Sequence, residues 1–363
     1  MASITKRPNG TWRARFYDST GKQQGKVFAR KVDAQRWLDE QTAAIVTGQY
    51  VDPKAGNVTF REYAERWRTL QPHRPSSAAH VETMLRRHVY PVMGDRKISS
   101  ILPSDVQALV SGSALAPATI GVIHGIISTV FGAAIRDRLV IANPCGGTKL
   151  PKVTRRRVVP LPIETVGAIR DALPDVLQTL VTFAAGTGLR QGECFGLTVD
   201  RLDMLRRTVK VDRQLVAVRD GAPVFGPPKT DASDRVVPLP AVVVDALAAH
   251  LKEYGPRQPG ALVFTLGGRP VTRQAFGFLW RPIARELGLP ARSGLHALRH
   301  FYASLLIRHG ESVKVVQARL GHASAAETLD TYSHLWPDSD DRTRDAVDSV
   351  LGAYEAQIRH DGS

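Results

Sequence analysis

Near the N-terminus, apolar and polar residues alternate in two runs, TWRARFYD and KQQGKVFA, with the turn sequence DSTGKQQG between them. A period of two sends successive side chains to opposite faces, and a glycine-bearing turn between two such runs predicts a β-hairpin. From Val32 to Thr47 the period changes. Ala34, Trp37, Leu38 and Ile45 recur at near-helical spacing, so an amphipathic helix follows. The Pro53–Gly56 segment reads as a linker. Beyond it, from Val58 to about Lys149, the pattern is helical through FREYAERWRTL, SSAAHVETMLRRHVYPVMG, PSDVQALVSG and ALAPATIGVIHGIISTVFGAAI. Ser76 or Ser77 is placed to cap the second of these helices and Ser104 the third, with Asp105 beside that third N-terminus. In the fourth, Ile120, Ile123, Ile127, Phe131 and Ile135 form the core stripe.

The remaining residues, 158–363, begin with helices at about 163–173 and 175–187 and another in GLRQGECFGL. A strand-rich stretch follows in RTVKVDR, QLVAVRDG and PPKTDASDRVVPL. The chain then returns to helix in RQAFGFLWRPIARELG, ALRHFYASLLIRHG and SVKVVQARLG, ending in the tail RDAVDSVLGAYEAQI. The fold class expected is mixed α+β and multidomain. Residues 1–56 form a small sheet with a helix, residues 57–152 an all-helical unit, and residues 153–363 a mainly helical unit with a small antiparallel sheet.

Composition narrows the partners. The 363 residues carry 49 Lys+Arg against 34 Asp+Glu, a net charge of +15, and 43% hydrophobic residues exclude wholesale disorder. Such a charge points to a polyanion, either nucleic acid or an anionic membrane surface. The stretch Val106–Ile135 holds no charged residue apart from His124 and is long enough to span a bilayer. Pro117, four glycines and many alanines dilute it, however, and a buried helix is expected instead, with no membrane partner. Cys145 and Cys194, the only cysteines, lack CxxC spacing, which excludes a disulfide scaffold and a cysteine zinc site and favours a reducing, cytoplasmic setting. The opening MASITKRPNGTW has no apolar core of the kind a secretory signal needs.

The charge is concentrated. Residues 1–31 hold eight Lys/Arg against one Asp, a net of +7, and residues 136–157 a net of +6. Arg13 and Arg15 share one face of a strand beside Trp12 and Phe16, and with Lys22 and Lys26 they form a sheet face suited to a DNA groove. Arg136, Arg138, Arg155, Arg156 and Arg157 lie in a segment broken by proline and glycine, which suits a linker following a duplex backbone. Arg273 and Arg281 can meet DNA from a helix. For all of these the alternative is a solvated basic face, and DNA binding is the reading preferred. From Asp338 onward the sign inverts, with seven acidic residues against three Arg and an apolar helical stripe of Val347, Val350, Leu351, Tyr354 and Ile358.

The common catalytic motifs GxxxxGK[ST], HExxH and GxSxG are missing, and carboxylates are not clustered as a two-metal nuclease requires. What remains is cationic and polar: Arg190 in GTGLRQGE, Lys229 in PPKTDAS, His296 and Arg299 in HALRH, His322 in LGH, and Tyr332 in DTYSHL. Two planar guanidiniums match the non-bridging oxygens of a phosphate, and a tyrosine with a pKa near 10 attacks phosphorus only where cations stabilise its phenolate. Glu193, three residues after Arg190, is placed to orient a neighbouring cation.

Four of these motifs, GTGLRQGE, HALRH, LGH and the segment ending in Tyr332, in this order over some 140 residues, resemble the catalytic region of the tyrosine recombinases, the integrases of phages and mobile elements. The resemblance covers roughly residues 160–340. The N-terminal unit and the helical middle resemble, less specifically, the arm-type and core-type DNA-binding domains of phage integrases. The resemblance implies Tyr332 as the nucleophile, forming a 3′-phosphotyrosyl link. It implies Arg190 and Arg299 as the phosphate clamp and His322 as a further phosphate donor. Lys229, in a turn, would protonate the 5′ oxygen, and His296 would act as general acid/base. Glu193 and His300 support the site. Because the phosphotyrosyl bond keeps the phosphodiester energy, neither metal nor ATP is required. The resemblance further implies core- and arm-type sites on double-stranded DNA, a homotetramer with the tail helix docked on a neighbouring protomer, and accessory DNA-bending and excision-directing proteins. The alternatives are a resolvase of chromosome or plasmid dimers, a non-catalytic DNA-binding regulator, and a metal nuclease.

Overall fold

The computed structural model describes residues 2–363 apart from 19–20, 48–49, 51–54, 155–156, 229, 257, 259, 291–292, 337–343, 353 and 355–363. The chain divides into two compact units, residues 1–155 and 156–363.

The first unit opens with a three-stranded antiparallel sheet of β1 (Ser3–Lys6), β2 (Trp12–Tyr17) and β3 (Gln23–Phe28), backed by α1 (Lys31–Val46). The expected hairpin is β2–β3. The third strand, β1, pairs along the other edge of β2 and is too short to show a period in the sequence. Alternation along β2 sends Ala14 and Phe16 inward, where the Phe16 ring lies 5.4 Å from both Trp37 and Tyr50. Arg13 and Arg15 therefore stand on the opposite face, as the alternation predicts.

The helical part of this unit runs through α2 (Phe60–Thr69), α3 (Pro75–Met84), α4 (Pro103–Ser111) and α5 (Pro117–Arg136), with α3 continuing as wider π-helical turns over Leu85–Gly94. A reciprocal cap starts α2: Glu62 N–H donates to Thr59 Oγ1 at 3.2 Å, and Thr59 N–H donates to the Glu62 carboxylate at 2.9 Å. The expected serine caps are corrected. The helices begin at Pro75 and Pro103, so Ser76, Ser77 and Ser104 fall inside the first turn. Proline suits that first position because its missing N–H would have no helical partner there. At α4 Asp105 takes the capping role, accepting the Leu102 N–H at 2.7 Å.

Helix α5 is the uncharged segment, long and apolar enough by composition to cross a membrane. It is instead the centre of a core. Ile120, Ile123, Ile127, Val130, Phe131, Ala133 and Ala134 are buried, and Ile127 and Phe131 pack in one cluster with Phe60, Leu85 and Tyr90. Ile135, expected in the stripe, is half-buried at the edge of this cluster.

The second unit contains α6 (Ile163–Asp171), α7 (Asp175–Thr187), the short α8 (Gln191–Phe195), and strands β4 (Leu202–Asp203), β5 (Thr208–Val211), β6 (Gln214–Arg219), β7 (Ala222–Gly226) and β8 (Arg235–Pro238). There follow α9 (Ala241–Tyr254), β9 (Thr265–Leu266), β10 (Arg269–Pro270), α10 (Arg273–Glu286), α11 (His296–Arg308), α12 (Val313–Leu320) and α13 (Ala325–Tyr332). The strand-rich stretch forms an antiparallel sheet ordered β4–β5–β8 and a separate hairpin, β6–β7. Helices α9 and α13 were not expected from the sequence pattern. The large core gathers α6, α7, α9, α10 and α11 around Val209 and Val237 of the sheet, while a smaller cluster holds Tyr302, Ile307, Val316, Leu320 and Tyr332. In the tail, Val347, Val350, Leu351 and Tyr354 are all exposed.

Because Ile127 is fully enclosed, Ile127→Ala is expected to destabilise the first unit by about 2–5 kcal/mol. Val122→Ala, on the exposed side of the same helix, is expected to change stability by no more than about 0.5 kcal/mol. Urea unfolding of both variants checks the inward face; equal losses would contradict it.

Candidate active site

Two glycines that end helices build the floor of the site. Gly188 closes α7 at φ 64°, and a Cβ there would stand 2.4 Å from the Tyr302 ring. Gly321 closes α12, also at φ 64°, where a Cβ would meet Arg235 Nη1 at 2.9 Å and Ala232 O at 3.0 Å. A left-handed residue of this kind is open to glycine and costly for others. Each turn also leaves carbonyls without helical donors, and these carbonyls hold the arginines. Arg299, 1% exposed, donates from Nη1 to Gly188 O at 2.8 Å and from Nη2 to Leu320 O at 2.7 Å. Arg190 donates from Nη2 to Gly321 O at 2.8 Å and from Nη1 to Ser233 Oγ at 2.9 Å.

Glu193, 3% exposed, is the counter-charge. It accepts the Arg190 backbone N–H at 2.9 Å and Arg190 Nη1 at 3.1 Å, and it also receives Arg235 Nη2 at 2.9 Å. Arg235 is anchored in turn by Arg319 O at 2.9 Å and Ser233 O at 2.9 Å. Burial works to raise the Glu193 carboxyl, but Arg235 and Arg190 together hold it below the usual carboxylate range. Arg299 is pulled down to about 10, first by burial and then by the charge of Arg190, with Glu193 opposing. Arg190 and Arg235 thus share one carboxylate whose charge also reaches Arg299, leaving the three guanidiniums with a surplus of two positive charges over it.

The residues around Tyr332 stand on α11 and α13. Tyr332, at the C-terminal end of α13, is 1% exposed, and its hydroxyl lies 2.8 Å from Nδ1 of His300. Burial pushes the phenol up to about 12, with Arg299 opposing. His296, one turn before His300 and exposed, meets the His300 ring edge-on at 4.6 Å rather than reaching Tyr332. His322 is buried, with Nδ1 2.9 Å from Thr328 Oγ1 and its ring parallel to that of Tyr332 at 6.5 Å. Desolvation holds the His300 and His322 imidazoles low, helped at each by neighbouring cations, to about 4 and about 3, so each is neutral at pH 7. Cys194, fully buried beside Glu193, has its thiol pushed well up by burial, and burial raises Cys145 to about 11.

The structure therefore gathers Arg190, Glu193, His296, Arg299, His300, His322 and Tyr332. Lys229 lies outside the described residues; the neighbouring Thr230 bonds Ser233 at 2.9 Å. Arg235, Ser233 and Thr328 were not singled out in the sequence. For Arg235 the signal was an arginine opening the strand RVVP only six residues after Lys229. Of the proposed DNA contacts, Arg13, Lys22, Lys26, Arg136, Arg138, Arg157, Arg273 and Arg281 are exposed and Arg15 half-buried, while Arg155 and Arg156 lie outside the described residues. On α10 the Arg281 guanidinium stacks over exposed Phe278 at 4.8 Å. Among the described residues no group of His, Cys, Asp and Glu is arranged to hold a metal ion.

Neutralising Glu193 strands Arg235 and Arg190 without their counter-charge, so Glu193→Gln is expected to cost about 3–5 kcal/mol in urea unfolding at pH 7. Acid sensitivity has a second source. His300 and His322 bind protons near 6.5 when unfolded but only near 4 and 3 when folded, so protons favour the unfolded chain. The unfolding temperature should drop between pH 6.5 and 4, and less so in His322→Asn; identical slopes in the two proteins would contradict the buried, neutral ring.

Comparison with known proteins follows the same division of the chain. Residues 154–338 match the phage integrase family, and residues 60–149 match the phage integrase central domain. The chain is 28% identical over 341 residues to the putative prophage phiRv2 integrase of Mycobacterium tuberculosis, covering 90% of this chain and 89% of that one. It is 26% identical over 312 residues to the integrase of Mycobacterium phage D29, covering 82% of each. Among solved structures, the Tn1549 transposon integrase in complex with a circular intermediate DNA aligns over 80% of this chain and 99% of its own, with a TM-score of 0.69 and 22% identity. A lambda integrase dimer bound to a COC′ core site aligns over 92% of this chain and 96% of its own, with a TM-score of 0.60 and 18% identity. The fold is that of these integrases, and with more than half of its length matched the chain belongs to the phage integrase family of tyrosine recombinases.

Proposed function

We propose that this tyrosine-type, site-specific DNA recombinase cuts and rejoins DNA through Tyr332, integrating mobile DNA into a bacterial chromosome and excising it again. The observation that carries the reading is the cluster of Arg190, Arg235 and Arg299 around the single carboxylate of Glu193. Its surplus charge is matched by a phosphodiester entering beside the tyrosine. The described bonds of Arg299 use two of its five N–H groups and those of Arg190 use two Nη atoms, so both have donors left for non-bridging oxygens. The Tyr332 oxygen attacks phosphorus, the bond to the 5′ oxygen breaks, and the product is a 3′-phosphotyrosine with a free 5′-hydroxyl. Lys229 protonates that leaving oxygen. His322 donates to the phosphate, and His296, at the exposed edge, steadies the imidazole of His300. No cofactor enters the balance of this transfer.

Binding is assigned by region. Residues 1–56 act as an arm-type DNA-binding domain through Arg13, Arg15, Lys22 and Lys26, and residues 57–152 as the core-type domain. Residues 153–363 form the catalytic domain with its tail helix. Arg136, Arg138, Arg155, Arg156 and Arg157 follow the duplex backbone, with Arg273 and Arg281 adding contacts from α10. The working form is a homotetramer on DNA in which the exposed apolar stripe of the tail docks on a neighbouring protomer. Accessory bending and excision-directing proteins set the direction, in the cytoplasm at the nucleoid. The alignment of 90% of the chain with a prophage integrase favours this role over dimer resolution.

The test uses a duplex nicked next to the crossover phosphate, its sequence taken from the junctions of the integrated element. The native protein is expected to become covalently trapped on it in the presence of EDTA, while Tyr332→Phe binds equally well and traps nothing. Arg299→Ala is expected to slow trapping by about 10²–10³-fold. Covalent adducts in Tyr332→Phe, or dependence on a divalent metal, would overturn the reading.

A further inference from the structure

His322 has two ring nitrogens and, held neutral by burial, one proton to place. Which nitrogen carries it decides whether the ring can donate to a phosphate. Thr328, on α13 and 0% exposed, stands with Oγ1 2.9 Å from His322 Nδ1. Threonines in helices commonly donate to the carbonyl four residues back, as Thr83, Thr129 and Thr187 do here at 2.8, 2.8 and 2.7 Å. Thr331, on α13 itself, does the same at 2.8 Å. Among the described residues the Thr328 hydroxyl makes no such bond, and the His322 ring is its one partner.

A buried hydroxyl without an acceptor is costly, so the Thr328 O–H donates to Nδ1. Nδ1 is then an acceptor, and the single proton of the neutral imidazole stands on Nε2. On the reading of His322 as a phosphate donor, we propose that Thr328 is a positioning residue: its hydroxyl fixes the tautomer whose Nε2–H meets the phosphate. The opposite tautomer would place Nδ1–H against the hydroxyl, leave the Thr328 proton without an acceptor, and turn a lone pair toward the incoming anion.

The setting of the ring agrees. The His322 backbone is tied down at both polar groups, its N–H donating to Gln317 O at 3.1 Å and its carbonyl accepting Gln317 Nε2 at 3.3 Å. The residue before it, Gly321, gives its carbonyl to Arg190 at 2.8 Å, which places the ring beside the arginine cluster. The ring lies parallel to that of Tyr332 at 6.5 Å. Nε2 faces Oε1 of Glu327 at 3.8 Å, and that side chain is half exposed to solvent. An anion thus already stands before Nε2, beyond hydrogen-bond distance, as a phosphate oxygen would at closer range. Its charge favours the proton on the nitrogen that faces it.

The experiment combines histidine nitrogen-15 NMR of the full chain with single-turnover trapping on the nicked crossover duplex. The proteins are the native chain, Thr328→Val, Thr328→Ser, His322→Ala and the Thr328→Val, His322→Ala double variant. In the native chain His322 is expected to carry its proton on Nε2; a proton on Nδ1 would overturn the proposal. Valine keeps the shape of threonine and removes the donor. Thr328→Val is expected to bind DNA as the native chain does and to trap about 10–100-fold more slowly, the range seen when the partner orienting a metal-bound imidazole is lost. Thr328→Ser, which keeps the hydroxyl, is expected to trap at close to the native rate. In the His322→Ala background the valine is expected to cause no further loss, because the hydroxyl acts through the ring. An equal loss in both backgrounds, or native trapping by Thr328→Val beside slow trapping by His322→Ala, would overturn the proposal. Native trapping by His322→Ala would instead overturn the assignment of His322 to the phosphate, and the role of Thr328 with it. The NMR measurement on the native chain needs no variant and decides the tautomer even where the valine prevents folding.

Discussion

One buried carboxylate holds the catalytic half of this protein together. Glu193 is the shared counter-charge for Arg190 and Arg235, and through them it fixes where α8, strand β8 and the end of α12 meet. A buried ion pair is rarely a net source of stability, because desolvating both partners offsets most of their attraction. Its value here is geometric. The carboxylate neutralises one charge of three, enough for the arginines to be buried and too little to satisfy them. What remains is a preorganised positive potential, already oriented when the substrate arrives, so that little reorganisation is needed during reaction.

Tyr332 sits in the opposite electrostatic condition. Tyr332 belongs to an apolar cluster with Leu320 and Ile307, and burial makes its phenol a weaker acid than free tyrosine. The charge of Arg299 in the neighbouring pocket acts against that burial. In the proposed reaction the free chain therefore holds a phenol of low reactivity, and the bound phosphate completes the activating environment.

Much of this was legible in the sequence. The amphipathic helices, the β2–β3 hairpin and the core role of α5 follow from periodicity, and Arg190, His296, Arg299, His322 and Tyr332 stand in recognisable motifs. Less visible was anything that depends on chain segments distant in sequence. Arg235 pairs with Glu193 across 42 residues and Arg190 reaches Gly321 across 131, and no local pattern encodes either. Proline at the first helical turn displaced the expected serine caps, because Ser76 and Ser104 each follow it by one residue. The partnership of His300 with Tyr332 was missed for a similar reason: His296 lies in the same motif one helical turn away, and only side-chain packing selects one ring over the other.

The two cysteines have a practical consequence. Both are buried, and burial disfavours the thiolate that maleimides and peroxides attack. The native chain is therefore a nearly silent background for thiol chemistry. A single cysteine introduced at the fully projecting Leu205, on the turn between β4 and β5, offers an attachment point for a fluorophore without first removing Cys145 or Cys194. Strand exchange by individual molecules then becomes observable in a protein that retains its own core.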